Sequence, residues 1–185
     1  MTKKFTRVTH MKIIFLFSIL ISLITTLSAK VLISPIDAMK ENYGKNSTIV
    51  KKNILLTSED VKKIQTEAKT KLSSKTYRIY IAKKGTKTLG YGILINKKVR
   101  SKNGVVMYLI SDGVLKGIEI IAFNEPHEYI PNKTWQEQFK EIKTDKMLQL
   151  SRDIPTITGA TLSARSVTDG SRIAFAIYNN LLKDK

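Results

Sequence analysis

Apolar residues recur at three different spacings along this 185-residue chain. From Ile13 to Leu27 they run almost unbroken, interrupted only by Ser18, Ser22, Thr25 and Thr26. From Thr57 they return at helical spacing, with Val61, Ile64, Ala68 and Leu72 behind a hydroxyl and two acids. That pattern predicts an amphipathic helix that ends near Ser73-Ser74. From Tyr77 the period shortens to two, and four strands are predicted: Tyr77–Ile81, Leu89–Ile95, Val105–Ile110 and Val114–Phe123. Lys84-Gly85, the basic tip Lys97–Gly104 and the hairpin dipeptide Asp112-Gly113 separate them. Four strands with short connections indicate an antiparallel meander, and helices on one face would make an α+β domain.

Beyond the sheet, Phe123 to Pro131 is an irregular loop pinned by Pro126 and Pro131. Asn132 or Thr134 is positioned to cap a short helix that carries Trp135, Phe139 and Ile142. A last helix is predicted over about 166–182, with Ile173, Ile177 and Leu181 four residues apart. Gly170 inside it costs about 1 kcal/mol relative to alanine, which points to close backbone packing. Thr168, Asp169 and Ser171 are expected on its solvent side. Residues 30–75 read as a lead-in with a single helix, because Pro35, Gly44 and Lys51-Lys52-Asn53 leave little periodicity before Thr57.

The first apolar run changes the picture of location. It covers 15 positions, follows Lys3, Lys4, Arg7 and Lys12, and no acid precedes Asp37. A membrane-spanning helix needs ~20 apolar residues, whereas a signal-peptide core needs ~7–15. Residues 1–29 are therefore expected to be a signal peptide or a retained N-terminal anchor. Thr26-Leu27-Ser28 or Leu27-Ser28-Ala29 offers an imperfect cleavage site, and Met11 an alternative start. The domains expected are the leader 1–29, the lead-in 30–75 and a folded unit over 76–185.

Charge and cysteine count narrow the partners. The formal net charge of +17 falls by four, to +13, without residues 1–29. An exported basic protein meets anionic lipid or an acidic partner rather than nucleic acid, although lysine bias on a solvated surface explains the same charge. The chain has no cysteine. This excludes disulfides, iron–sulfur clusters and thioether-linked haem in this polypeptide, so any redox chemistry uses another cofactor. His127 and Glu128 are adjacent and lack ligand spacing, so neither a metal site nor a catalytic acid–base pair is expected.

Candidate chemistry gathers at Thr158-Gly159-Ala160-Thr161-Leu162-Ser163. Glycine and alanine let a bulky anion approach the backbone, and a helix start supplies free N–H groups and a partial positive charge. The same residues also suit a plain hydroxyl N-cap. Thr158 to Arg165, in its place behind a sheet and a proline loop, resembles the flavin-attachment motif of the periplasmic FMN-binding domain family. That motif reads Ser/Thr-Gly-Ala-Thr/Ser and precedes a helix near the C-terminus. Glu125-Pro126, Tyr129-Ile130-Pro131, Trp135 and Gln138-Phe139 add a weaker likeness, and the resemblance covers about 76–185.

The resemblance implies an exported FMN-binding electron-transfer protein in the periplasm or on the outer face of the cytoplasmic membrane. It implies FMN esterified through its phosphate to Thr161 by a separate flavin transferase that uses FAD and Mg²⁺. Thr158, Gly159, Ala160, Leu162 and Ser163 would surround that phosphate. Glu125 would either hydrogen-bond the ring or stand as a solvated loop carboxylate, and Tyr129 and Trp135 would either stack on the ring or belong to the core. A membrane quinone-linked complex or a periplasmic cytochrome would be the redox partner, with peripheral contact to the membrane. The motif departs from the family's pattern at Pro155, where an acid is usual, and Asp153 lies two residues further back. Two other readings share these residues: a flavin-dependent reductase of an extracellular acceptor, and a flavin-free basic module that binds an anionic membrane or cell wall. Lys97, Lys98, Arg100 and Lys102 form either a docking cluster or a solvated tip.

Overall fold

The computed structural model describes residues 31–183. The leader assigned to residues 1–29, including His10, lies outside them. Six strands form one antiparallel meander in the order β1-β2-β3-β4-β5-β6: β1 (Thr48–Leu55), β2 (Thr76–Lys84), β3 (Lys87–Lys98), β4 (Asn103–Ser111), β5 (Val114–Phe123) and β6 (Ile142–Lys143). The central four enclose the four predicted from the alternation. Asp112 and Gly113 both have positive φ, 51° and 74°, as a tight two-residue hairpin requires.

Among the described residues, four α-helices complete the α+β fold: α1 (Pro35–Tyr43), α2 (Ser58–Ala68), the single turn α3 (Lys133–Gln136) and α4 (Thr161–Leu181). The period of two sends Tyr77, Ile79, Tyr91, Ile93, Ile95 and Tyr108 to one side of the sheet, where Ile64 of α2 and Val167, Ile173, Ala174 and Ile177 of α4 close the main core. Tyr80, Ala82, Met107, Leu109 and Ile121 face the other way and pack against Ala38 and Met39 of α1. Helix α1 comes close because β3 carries glycines there. A Cβ on Gly90 would lie 2.6 Å from the Tyr43 hydroxyl, and one on Gly92 would strike Met39 and the Met107 sulfur.

The segment read as a lead-in thus supplies two elements unseen in the sequence, α1 and β1. β1 pairs with β2 along its whole length, from Thr48↔Lys83 to Leu55↔Thr76. Helix α2 starts where its caps say, with reciprocal Thr57 and Asp60 hydrogen bonds of 3.1 and 2.9 Å. It ends sooner than its apolar spacing suggests. Lys69 turns left-handed (φ 49°), and the Gln65 side chain accepts the Leu72 N–H at 3.0 Å. Asn132 caps α3 by accepting the Trp135 N–H at 2.8 Å, while Ile142 belongs to β6.

Helix α4 is fixed to the sheet by tyrosines. Tyr108 donates to the Val167 carbonyl at 2.7 Å, and its ring lies against Gly170, where a Cβ would sit 3.0 Å from Cζ and closer to the hydroxyl. Burial raises the Tyr108 phenol well above its usual value. The Tyr178 hydroxyl accepts the Gly113 N–H at 3.0 Å, which ties the helix to the β4–β5 hairpin. The expected solvent side is corrected here. Thr168 and Ser171 are fully buried, and their hydroxyls bond to the carbonyls of Ala164 (2.8 Å) and Thr168 (2.6 Å). Asp169 instead pairs with Arg172 at 2.7 Å and Lys97 at 3.7 Å.

Candidate functional site

Helix α4 begins at Thr161, about five residues earlier than its apolar spacing suggests. The missing signal is physical: Thr161, Leu162 and Arg165 are exposed, so this turn buries too little to show a periodic face. The approach is a tight turn in which Ala160 donates to Ile157 O at 3.0 Å and Gly159 takes φ 78°. No atom lies within 4 Å of a Cβ built on Gly159, so that glycine borders open space.

No hydroxyl caps the helix, which rules out the plain N-cap. The cap residue is Ala160, without a side-chain bond, and the first helical bond runs from Ala164 N–H to Ala160 O at 3.1 Å. The N–H groups of Thr161, Leu162 and Ser163 therefore have no intrahelical acceptor, and they carry the positive end of a 21-residue helix. The exposed Thr161 hydroxyl has one long contact, 3.4 Å to Ile157 O.

These residues form one wall of an open cleft of about 390 Å³, within the range of small-ligand sites. Its lining unites Gly159, Ala160, Thr161, Leu162 and Ser163 with Glu125, Tyr129, Val99 and Arg100. Seven of the eight residues singled out from the sequence thus meet here. Thr158 is exposed and does not line the cleft. Trp135 does not line it either; its indole is core, donating to Pro155 O at 2.8 Å and tilted against Phe139 at 5.1 Å.

The opposite wall depends on Glu125. This residue is only 7% exposed, so it is no solvated loop carboxylate. Its Oε1 accepts three consecutive backbone N–H groups, from Arg100 (3.1 Å), Ser101 (2.6 Å) and Lys102 (2.7 Å). The Ser101 hydroxyl adds a contact of 3.2 Å to Oε2. The Lys102 amide above all, then those of Ser101 and Arg100, holds the carboxyl below its usual range against the opposing effect of burial. Glu125 thereby anchors the turn that presents Val99 and Arg100 to the cleft. Sequence reasoning missed those two residues. Arg100 was visible only as one of four cations at a hairpin tip, and the contact that brings it here spans 25 residues.

Asp153 is committed elsewhere. It accepts the Gln149 N–H at 2.8 Å and pairs with Lys146 and Arg152, each at 3.4 Å. The Gln149 amide leads in lowering its pKa. Asp153 thus closes its own turn and does not line the cleft. His127 and Glu128 are exposed, and among the described residues no three possible metal ligands come together.

Fold and cleft together define an α+β domain with an uncapped helix start facing a mixed wall of apolar and cationic side chains. Residues 101–176 match the FMN-binding domain family. The match runs from the β3–β4 turn through most of α4, so it contains Glu125, Tyr129 and the whole helix start. The G subunit of the Na(+)-translocating ferredoxin:NAD(+) oxidoreductase complex of Acetobacterium woodii is 28% identical over 142 residues, covering 68% of this chain and 67% of its own length. The residues present fit the cofactor: free backbone N–H groups of Thr161, Leu162 and Ser163 for a phosphate, and the side chains of Leu162 (44% exposed), Val99 and Tyr129 for an apolar ring.

Proposed function

We propose that this protein is an exported electron-transfer flavoprotein whose FMN lies in the cleft and is esterified through its phosphate to Thr161. The observation that carries this reading is the position of Thr161. It is the first residue of a helix with no side-chain cap, its hydroxyl is exposed, and it lines the cleft. A phosphate bonded there would meet the N–H groups of Leu162 and Ser163 and the positive helix end, an arrangement suited to a dianion or an ester monoanion.

The esterification would be carried out by a separate flavin transferase. Thr161 Oγ forms a bond to the riboflavin-side phosphorus of FAD, AMP leaves, and the hydroxyl proton is lost. Pro155 and the engaged Asp153 leave no acid beside the motif, so the transferase would have to recognise the helix start itself. A covalent bond also keeps the cofactor on a protein that works where free flavin is dilute.

When bound, flavin supplies one- and two-electron redox chemistry. The chain's own cleft residues would orient it and limit its exposure: Leu162, Val99 and Tyr129 would exclude water from part of the ring. The single carboxylate of the cleft is bonded to three amides, which favours a carrier or electron-transfer subunit over an enzyme with its own acid–base step. The likeness to a component of a membrane redox complex supports an assembly of that kind, with a quinone-linked complex or a periplasmic cytochrome as partner. No helix among the described residues is long and apolar enough to cross a membrane.

Thr161→Val tests the assignment. In a host that contains the transferase, wild-type protein is expected to keep acid-stable flavin fluorescence on a denaturing gel, and the variant to lose it. Fluorescence that survives the substitution rejects Thr161 as the attachment site.

A further inference from the structure

Glu125 is buried and charged, yet its carboxylate points at backbone and is saturated by Arg100, Ser101 and Lys102 N–H groups at 2.6–3.1 Å. Three successive amides converging on one carboxylate fix the backbone of a turn that would otherwise be a mobile hairpin tip. This turn carries the cleft's only strong cation, Arg100, which is exposed and has no ion-pair partner among the described residues. Across the cleft stand Thr161, Leu162 and Ser163, with their free N–H groups. A long guanidinium held at one wall and a helix start at the other form two sides of a clamp for a single anion.

We infer that Arg100 is a phosphate ligand of the bound flavin nucleotide and that Glu125 is a positioning residue acting through it, by holding the 99–102 turn against the cleft. This deepens the flavin reading and rests on it. The chemical consequence is selectivity for the phosphorylated flavin. Riboflavin offers the same ring to Leu162, Val99 and Tyr129 but no charge to Arg100. The guanidinium presents two parallel N–H groups to phosphate oxygens, which a lysine ammonium does not.

The test uses the full chain produced in a host without flavin transferase, titrated with FMN and with riboflavin by quenching of flavin fluorescence. The readout is the ratio of the two affinities. Wild-type protein is expected to prefer FMN, and Arg100→Ala to cut that preference by about tenfold or more, while riboflavin affinity stays within about twofold. Arg100→Lys should recover part of the preference. Glu125→Ala should reduce the preference in the same direction, and adding Arg100→Ala to it should cost little more, since both act on one contact. If Glu125→Ala fails to fold, Glu125→Gln serves: its amide oxygen still accepts N–H groups, so an intermediate ratio is expected.

An unchanged ratio in Arg100→Ala overturns the phosphate assignment. A Glu125 variant that weakens FMN and riboflavin equally overturns the positioning role. A wild-type protein that binds neither ligand and also carries no flavin when produced with a flavin transferase contradicts the flavin reading itself. Flavin carried only when the transferase is present, with no binding of free FMN, overturns the clamp alone.

Discussion

Helix α4 is buried from Val167 to Tyr178 except for Asp169 and Arg172, which pair with each other, whereas Thr161 and Leu162 in its first turn are exposed and uncapped. The two glycines nearby show the same contrast. Gly170 is pressed against the Tyr108 ring, while Gly159 faces open space at φ 78°. Two parts of one continuous element therefore serve different ends. The buried part fixes where the helix stands on the sheet, and the exposed turn spends its backbone groups on neither packing nor caps. Rigid packing behind a bare helix start is what a site for a charged ligand requires, because the donors are then placed before the ligand arrives.

Breaking the buried part should have the largest effect. Gly170→Val puts two further methyls against Tyr108, and overpacking of this kind costs about 2–3 kcal/mol. Urea denaturation should show that loss, and flavin content should fall only as folded protein does. Unchanged stability would mean that α4 is not held as described.

A smaller effect is expected at the opposite wall of the cleft. The Glu125 carboxyl is held below its usual range in the folded protein by the Lys102, Ser101 and Arg100 amides. A depressed pKa contributes stability that is present above the unfolded value, about 4.3, and is lost as pH falls through the folded one. Melting temperature should therefore drop on acidification below about pH 4, and less steeply in Glu125→Gln. Parallel curves for the two proteins would remove the carboxylate from the account of the turn.

The smallest effect on stability belongs to the exposed turn. Thr161→Val is expected to change unfolding free energy by less than about 0.5 kcal/mol, the usual range for a surface site. A large loss would mean that Thr161 is a structural residue, and the contrast between the two parts of α4 would fail.

The sheet was legible because its signals are local. Alternation over Tyr77–Ile81 and Val105–Ile110 and the Asp112-Gly113 turn each need only a few neighbouring residues. Strand β1 escaped because it is an exposed edge whose Lys51-Lys52-Asn53 centre interrupts any alternation, and α1 because it buries only Ala38 and Met39. The cleft was half legible. Thr158–Ser163 announced a helix start, and Glu125 and Tyr129 entered through resemblance. Val99 and Arg100 reach the cleft on a turn whose amides bond Glu125, a tertiary contact with no periodic trace. Thr168 and Ser171 misled for a related reason: a hydroxyl bonded to a carbonyl of its own helix can be buried without a tertiary partner.

The proposed position of flavin, between the bare helix start and the turn held by Glu125, is tested most directly by an amide chemical-shift map of flavin-loaded against flavin-free protein. The largest shifts are expected at Val99–Arg100, Glu125 to Tyr129 and Gly159–Ser163. Shifts centred instead on a separate, larger cavity of about 510 Å³ beside Leu32, Ile33, Ile130 and Gln136 would contradict it.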